Sequence, residues 1–93
     1  MANQNMAAVT PDNVNTLFTN LGFTSYLLYI GVTGDVALTA GYDTTATVLK
    51  AVPVGWLPSP VSLPWTQVFS TGTTATNIVA FRSSVPLLAV QAP

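Results

Sequence analysis

The chain has 93 residues, of which 49% are hydrophobic and only 5% are charged. This length fits one domain with a single core. The chain has no cysteine, which excludes a disulfide framework and a thiolate metal site. Its two cations are too few for the phosphate-neutralising patch that drives direct nucleic-acid binding.

The charged residues are too few to cover the surface of a free subunit. Ordinary soluble domains are about a quarter charged, so this surface must consist of Thr, Asn, Ser, Gln and backbone. We therefore expect partner subunits to cover much of it; a threonine-coated monomer that tolerates low charge is the alternative. The charged residues are Asp12, Asp35, Asp43, Lys50 and Arg82.

No apolar stretch has the length of a membrane span. The longest candidate, residues 26–30, is followed at once by Gly31 and by Thr33-Gly34-Asp35. A spanning helix needs about 20 apolar residues. Residues 1–8 contain no lysine or arginine and do not resemble a secretory signal. We expect no membrane partner.

The N-terminal part predicts an arm followed by a short helical turn. Residues 1–9 are small and polar, which indicates a flexible arm or a strap that contacts a neighbour. Thr10-Pro11-Asp12 has the composition of a helix start, with a threonine cap and a proline in the first turn. Apolar residues then recur at helical spacing over 14–21, and Asn20 or Gly22 ends the turn.

Strand patterns follow. A continuous apolar run over 25–30 predicts a strand covered on both faces. Alternating patterns over 36–40 and 45–50 predict two more strands, with turns at Thr33-Gly34 and Gly41-Tyr42-Asp43. Three strands at this spacing indicate a meander or part of a sandwich.

Prolines interrupt the middle of the chain. Residues 52–60 are predicted to form an apolar loop, because proline does not fit a central strand. Trp56 in this loop either caps the core or anchors a partner. A strand is predicted to resume over 61–69. Pro64 indicates an edge or a bulge, and the strand pattern is clearer from Trp65 onward.

A glycine-centred turn dominates the last third. Val68-Phe69 leads into Ser70-Thr71-Gly72-Thr73-Thr74, and a further strand is predicted over 76–82. These patterns predict an all-β fold, a small antiparallel β-sandwich or jelly-roll-like barrel with a short N-terminal helical turn and extended terminal arms. The predicted organisation is a flexible arm over 1–9, one β domain over 10–82 and a C-terminal arm over 83–93.

The C-terminal segment is apolar and uncharged. It is either a last strand or an arm that packs on a neighbouring subunit, and the arm is favoured because an exposed apolar strand would aggregate. The candidate interface residues are Trp56, Leu57, Trp65, Val85, Leu87, Leu88 and Val90.

Catalytic chemistry is not expected. The chain has no histidine, cysteine or glutamate, so the usual general bases and most metal ligands are missing. We predict that it is not an enzyme and has no catalytic, cofactor-binding or metal residues. Asp35 and Asp43 are predicted to bond locally in turns; a calcium site using both is the alternative. Lys50 and Arg82 are predicted to be solvated strand-end charges or members of intersubunit ion pairs.

Several motifs resemble those of small virion proteins of tailed bacteriophages and gene-transfer agents, the head-spike base proteins and related decoration proteins. The resemblance covers roughly residues 10 to 81. The matching motifs are Thr10-Pro11-Asp12, Tyr29-Ile30-Gly31, Thr33-Gly34-Asp35-Val36-Ala37-Leu38, Lys50-Ala51-Val52-Pro53-Val54-Gly55 and the segment from Gln67 to Ala80, in which Thr71-Gly72-Thr73-Thr74-Ala75-Thr76 followed by Ile78-Val79-Ala80 is the most specific.

The resemblance implies a β-sandwich-like subunit in a homo-oligomeric ring or cluster on the capsid surface. Its implied partners are other copies of itself, the major capsid protein and a fibre or spike protein, and its implied location is the virion, assembled in the bacterial host cytoplasm. Residues 85–93 and the proline-rich stretch 53–64 depart from the family pattern, which leaves the head vertex, the capsid face and the tail open as attachment sites.

Two other functions compete with this one. A carbohydrate- or receptor-binding module displayed on a particle would use Trp56, Trp65 and Tyr42 as an aromatic platform. A self-assembling β-protein of non-viral origin is the other alternative. A structural protein of the tail is a variant of the first reading.

Overall fold

The computed structural model describes residues 5–60 and 63–82. Within these ranges the protein is an all-β fold with one short helix, as the sequence predicts. Its elements are β1 (Met6–Ala8), α1 (Leu17–Leu21), β2 (Ser25–Ile30), β3 (Gly34–Ala40), β4 (Thr47–Val52), β5 (Gly55–Pro58), β6 (Trp65–Val68) and β7 (Val79–Arg82).

The strands pair antiparallel in the order β1-β7-β2-β6-β3-β4, and β5 also pairs with β2. One edge of β2 pairs with β7. The other edge pairs with β5 over residues 27–30 and with β6 only at Ser25, opposite Trp65. The sheet therefore has a four-stranded half (β1-β7-β2-β5) and a three-stranded half (β6-β3-β4), joined at the start of β2.

The core lies between these two halves. Leu28 and Ile30 from β2 are fully buried, as are Val36 from β3 and Ala80 from β7. The helix contributes Leu17 and Leu21 to the same cluster. Burial of these apolar side chains is the main force that holds the two halves together.

The helix begins later than its sequence signals predict. Thr16, not Thr10, is the N-cap, and its hydroxyl accepts the backbone N–H of Thr19 at 3.1 Å. The carboxylate of Asp12 accepts the N–H of Val14 at 2.8 Å, which holds the chain in a turn before the helix. Gly22, one of the two predicted ends, terminates the helix with a positive φ of 82°, and its N–H donates to the carbonyl of Phe18.

Strand pairing differs from the sequence expectation in two places. The predicted hairpin around Gly72 is wrong: β6 and β7 are not partners, and each pairs with β2 instead. Likewise β2 and β3 are not partners, so the first three predicted strands form part of a sandwich and no meander. Local patterns identified these strands, but non-local contacts decide their partners.

Two segments predicted as irregular contain strands. In the proline-rich loop, Gly55–Pro58 pairs with β2 as β5. Proline is tolerated there because Pro58 lies opposite Leu27 at a position that needs no N–H, and the next ladder bond comes from Ser59, whose N–H donates to the carbonyl of Tyr26 at 2.9 Å. Residues 6–8 of the predicted flexible arm pair with β7, and Val9 is buried in the core. The predicted C-terminal arm, 83–93, lies outside the described residues.

None of the helices within residues 5–60 and 63–82 has the length and hydropathy needed to cross a membrane.

Candidate interaction surface

One face of the four-stranded half is apolar and open. Opposite residues of paired antiparallel strands point to the same side of a sheet. Tyr29 is paired with Trp56 on one side and with Val79 on the other, and Leu27 is paired with Pro58 and Phe81. These six side chains therefore share one face.

The first strand extends this surface. Met6 is paired with Phe81, and Ala8 with Val79, so both lie on the same side. We call the eight residues from the four strands the outer face. Met6, Ala8, Trp56 and Pro58 are exposed, and the other four are half-buried. Every one is apolar or aromatic, and none carries a charge.

The opposite face of the same strands points into the core. Leu28, Ile30 and Ala80 have no exposed surface, and Leu57 packs partly buried against them. An antiparallel sheet with one face in water ordinarily alternates apolar and polar residues. Apart from Ser25 and Arg82 at their ends, these four strands are apolar on both faces, so the outer face has the composition of a surface that becomes covered.

Trp56 is the most prominent side chain of the outer face, with 57% of its surface exposed. Its ring packs edge-on against Tyr29, with centroids 5.0 Å apart, and against Phe81, at 5.2 Å. Edge-to-face geometry is a favoured arrangement of aromatic rings. The three rings therefore form one contiguous aromatic cluster within the subunit.

The structure separates the predicted interface residues. Trp56 lies on the outer face, whereas Trp65 is 7% exposed and its indole N–H donates to the carbonyl of Leu57 at 3.0 Å. Trp65 is thus a core residue, which leaves it little surface to offer a partner. Val85, Leu87, Leu88 and Val90 lie outside the described residues.

Sequence reasoning missed most of the outer face, including Tyr29 and Phe81. The available signal was the continuous apolar run in β2, which predicts cover on both faces. The pattern does not specify which other side chains share the outer face, because that depends on the pairing of β2 with β5 and β7.

The predicted aromatic platform does not form. Trp65 is in the core, and Tyr42 lies in the turn between β3 and β4, where 95% of its surface is exposed. The rings that do join Trp56 are Tyr29 and Phe81.

Two of the charged residues, Asp35 and Lys50, stabilise the pairing of β3 with β4, away from the outer face. Lys50 and Ala51 of β4 stand opposite the single residue Asp35 of β3, which is a β-bulge. Asp35 accepts the N–H of Ala51, whose φ is 50°, and pairs with the ammonium of Lys50 at 3.4 Å. The Ala51 N–H, with a smaller contribution from Lys50, lowers the pKa of this carboxyl.

This arrangement corrects the expectation for Asp35, which lies in a strand and bonds across to another strand, not within its own turn. Lys50 lies inside β4 and not at its end, and its ammonium pairs with Asp35 of the same subunit while 78% of its side chain stays exposed. Asp43 does lie at the predicted turn, which its own N–H closes by donating to the carbonyl of Ala40 at 3.1 Å.

The threonine-rich motif closes an edge of β3. The hydroxyl of Thr74 accepts the N–H of Asp35 at 2.8 Å, and that of Thr73 accepts the N–H of Ala37 at 2.9 Å. These bonds continue the ladder where β6 ends. Side-chain oxygens thereby satisfy backbone donors that would otherwise be left unpaired.

Asp12 ties the N-terminal segment together. Its carboxylate accepts the backbone N–H of Val14 and bonds the amides of Asn15 and Asn20, which together lower its pKa to about 2. The role is structural, because every bond is to the chain itself.

The described residues also line several hollows. Two apolar hollows beside Trp65 measure about 200 and 130 Å³, below the roughly 300–1,000 Å³ of typical ligand pockets. Two hollows of about 410 and 430 Å³, beside the threonine-rich loop and in the β3–β4 turn, have the size of a ligand pocket, but both are open to solvent and rich in threonine, without a group of charged side chains. Among the described residues no three metal-ligating side chains cluster. The outer face is therefore the candidate functional site.

Comparison of the chain with protein families, with curated proteins and with solved structures returned no match.

Proposed function

We propose that the protein is a structural component of a bacteriophage virion, a head-spike base, decoration or cement protein. It acts by oligomeric self-assembly and by binding the capsid, and it carries out no catalysis. The virion assignment comes from the sequence resemblance. The physical support for assembly comes from the outer face.

The outer face is the observation that carries this proposal. Burying a large apolar side chain contributes about 1.5–3 kcal/mol relative to leaving it in water. Met6, Trp56 and the half-buried Tyr29 and Phe81 lie side by side, so one contact would cover them together. Contiguous exposed apolar surface marks interaction sites in proteins.

The charge distribution supports assembly as well. Lys50 and Asp35 pair with each other, and Asp12 bonds its own segment. The outer face itself has no charge to desolvate when a partner covers it, so its burial is not opposed by that cost. An uncharged, largely apolar contact is typical of permanent assemblies.

Light scattering on the purified chain tests self-assembly. At two concentrations in moderate salt, we expect one discrete multimer whose mass is a whole multiple of 9.7 kDa. A single-chain mass at both concentrations would contradict self-assembly. Mass spectrometry of purified virions from the producing host tests the location, and absence of the chain from them would contradict the virion assignment.

The exposed aromatic cluster favours one second function, a carbohydrate- or receptor-binding module displayed on a particle. Sugar rings stack on exposed aromatic side chains, and 57% of the surface of Trp56 is exposed. A glycan array should then give a specific hit that Trp56→Ala abolishes. Quencher protection of Trp56 in the assembled state would contradict this second function, since a receptor site must stay open.

A further inference from the structure

We propose that the outer face receives the C-terminal segment, residues 83–93, of a neighbouring copy of the chain. Each subunit then gives one segment and receives one. This inference rests on the proposed self-assembly and names the contact that produces it.

The chemistry of the segment matches that of the face. Residues 83–93 contain Val85, Leu87, Leu88 and Val90 and have no charged side chain. The outer face is also apolar and uncharged. Bringing the two together removes apolar surface from water on both sides and leaves no charge unpaired.

The exit of the chain from the sheet favours a neighbour as the donor. Arg82 is still part of the sheet, because it is paired with Ser25 and its N–H donates to the carbonyl of Asn5 at 2.7 Å. The outer face lies behind this point, over residues that precede Arg82 in β7. The described chain therefore ends, at Arg82, at the end of β7 that points away from the outer face.

The segment is long enough to reach another subunit. Eleven extended residues span up to about 36–40 Å. The longest dimension of the fold is 36 Å. A donor segment can thus run along a neighbouring subunit to its aromatic cluster. The donated and receiving surfaces differ, so the contact is head-to-tail, and a head-to-tail contact that closes produces a ring.

Trp56 is positioned to be the anchor of this contact. It combines high exposure with ring contacts to Tyr29 and Phe81. Aromatic residues of this kind carry a large share of binding energy at protein interfaces.

Complementation of two full-length variants tests the proposal. Trp56→Asp blocks the receiving face, and the double variant Leu87→Asp with Leu88→Asp blocks the donated segment. Alone, each variant should remain at the mass of a single chain in light scattering. Mixed in equal amounts they should form one-to-one pairs, because one variant keeps an intact segment and the other an intact face.

Asp is used in both variants so that the two blocked surfaces repel each other and cannot pair. Tyr42→Asp is the matched control, since Tyr42 is an exposed aromatic residue remote from the outer face in the β3–β4 turn. It should assemble like the native chain. Emission from the buried Trp65 reports whether the Trp56→Asp variant has folded.

The possible outcomes separate the proposals. A native multimer that persists in the Leu87→Asp, Leu88→Asp variant would overturn the segment as the occupant and leave self-assembly standing. Variants that stay single when mixed would overturn donation between subunits. A native chain that is itself single would contradict the proposed self-assembly.

A measurement on the native chain covers the case in which a variant fails to fold. Trp56 should be protected from acrylamide in the multimer and become quenched on dilution to single chains, while Trp65 stays protected throughout. Equal quenching of Trp56 in the multimer and in the single chain would overturn the proposal, because it would leave the outer face uncovered.

Discussion

The two faces of the four-stranded half are built from the same strands yet differ in how they are closed. On the inner face, Leu28, Ile30 and Ala80 are fully buried by the rest of the subunit. On the outer face, Tyr29, Trp56 and their neighbours are equally apolar, but the described residues leave them partly or largely exposed.

The two faces contribute differently to the stability of the subunit and to the proposed assembly. Apolar residues on the inner face explain why the chain folds, since their burial stabilises the subunit. Apolar residues on the outer face add little to that stability while they are exposed. A strand with one face in water needs apolar residues only on its inner face, so polar residues at these outer positions would suit the strand equally well. The proposed binding role would account for their apolar character.

Truncating one core residue and one residue of the outer face is the largest test of this comparison. Ile78 directly precedes β7, belongs to the core cluster and is 2% exposed, so Ile78→Ala should lower the free energy of unfolding by about 2–5 kcal/mol. Phe81 is half-buried on the outer face, and Phe81→Ala should cost less in the single chain. Urea unfolding followed by Trp65 emission measures both.

The effects of Ile78→Ala and Phe81→Ala on assembly should rank in the opposite order to their effects on stability. Phe81→Ala removes surface from the outer face and should weaken the multimer more than Ile78→Ala does, when both are measured by light scattering under conditions where each is folded. Equal effects of the two variants on stability and on assembly would contradict the division between the two faces.

The sequence predicts the fold class because the relevant signals are local. The apolar run over 25–30 and the alternation over 36–40 each specify a strand, and both strands are present. Gly22 ends the helix because its positive φ disfavours other residues. The start of the helix is less well defined, since Asp12 and Thr16 are both capable of holding a turn and only the folded contacts select Thr16.

The candidate site could be predicted only in part, because it depends on partners distant in sequence. Trp56 is recognisable from its position among glycine and prolines. Tyr29 and Phe81 join it only because β5 and β7 pair with opposite edges of β2. Trp65 has a similar local context to Trp56, and only its indole bond to Leu57 and its burial reveal it as a core residue.

A substitution at a contact that is already buried within the subunit provides a second test of the comparison. A Cβ added at Gly34 would lie 2.5 Å from the backbone nitrogen of Ala75 in the threonine-rich loop. Gly34→Ala should therefore destabilise the subunit by about 1–3 kcal/mol through overpacking. Thermal unfolding checks this result, with exposed Thr33→Ala as the neighbouring control; an unchanged midpoint for Gly34→Ala would show that the loop is loosely held.

A smaller effect is expected from Trp56 in the single chain. Its ring contacts with Tyr29 and Phe81 should contribute about 0.5–1.5 kcal/mol per pair. Trp56→Ala should thus lower stability modestly in chemical unfolding. A loss as large as that of Ile78→Ala would mean that the outer face is part of the folding core and not a separate binding surface.

The smallest expected effect appears only on acidification and involves Asp12, which does not belong to the outer face. Its pKa is lowered from 3.8 to about 2, chiefly by the N–H of Val14. Because the native state binds the proton less readily than the unfolded state, Asp12 stabilises the fold above pH 3.8, and this contribution is lost as the pH falls through about 2. Unfolding midpoints measured across this window should fall in the native chain and fall less in Asp12→Ala.

Trp56→Ala is the control, because the outer face has no carboxylate to titrate in this window. Its stability should be offset from that of the native chain by a constant amount at every pH, whereas the Asp12→Ala offset should shrink as the solution is acidified. A pH-dependent offset for Trp56→Ala would couple the outer face to the segment held by Asp12. The contribution of Trp56 to stability would then depend on the protonation of Asp12. In that case the outer face would not be energetically independent of the rest of the fold.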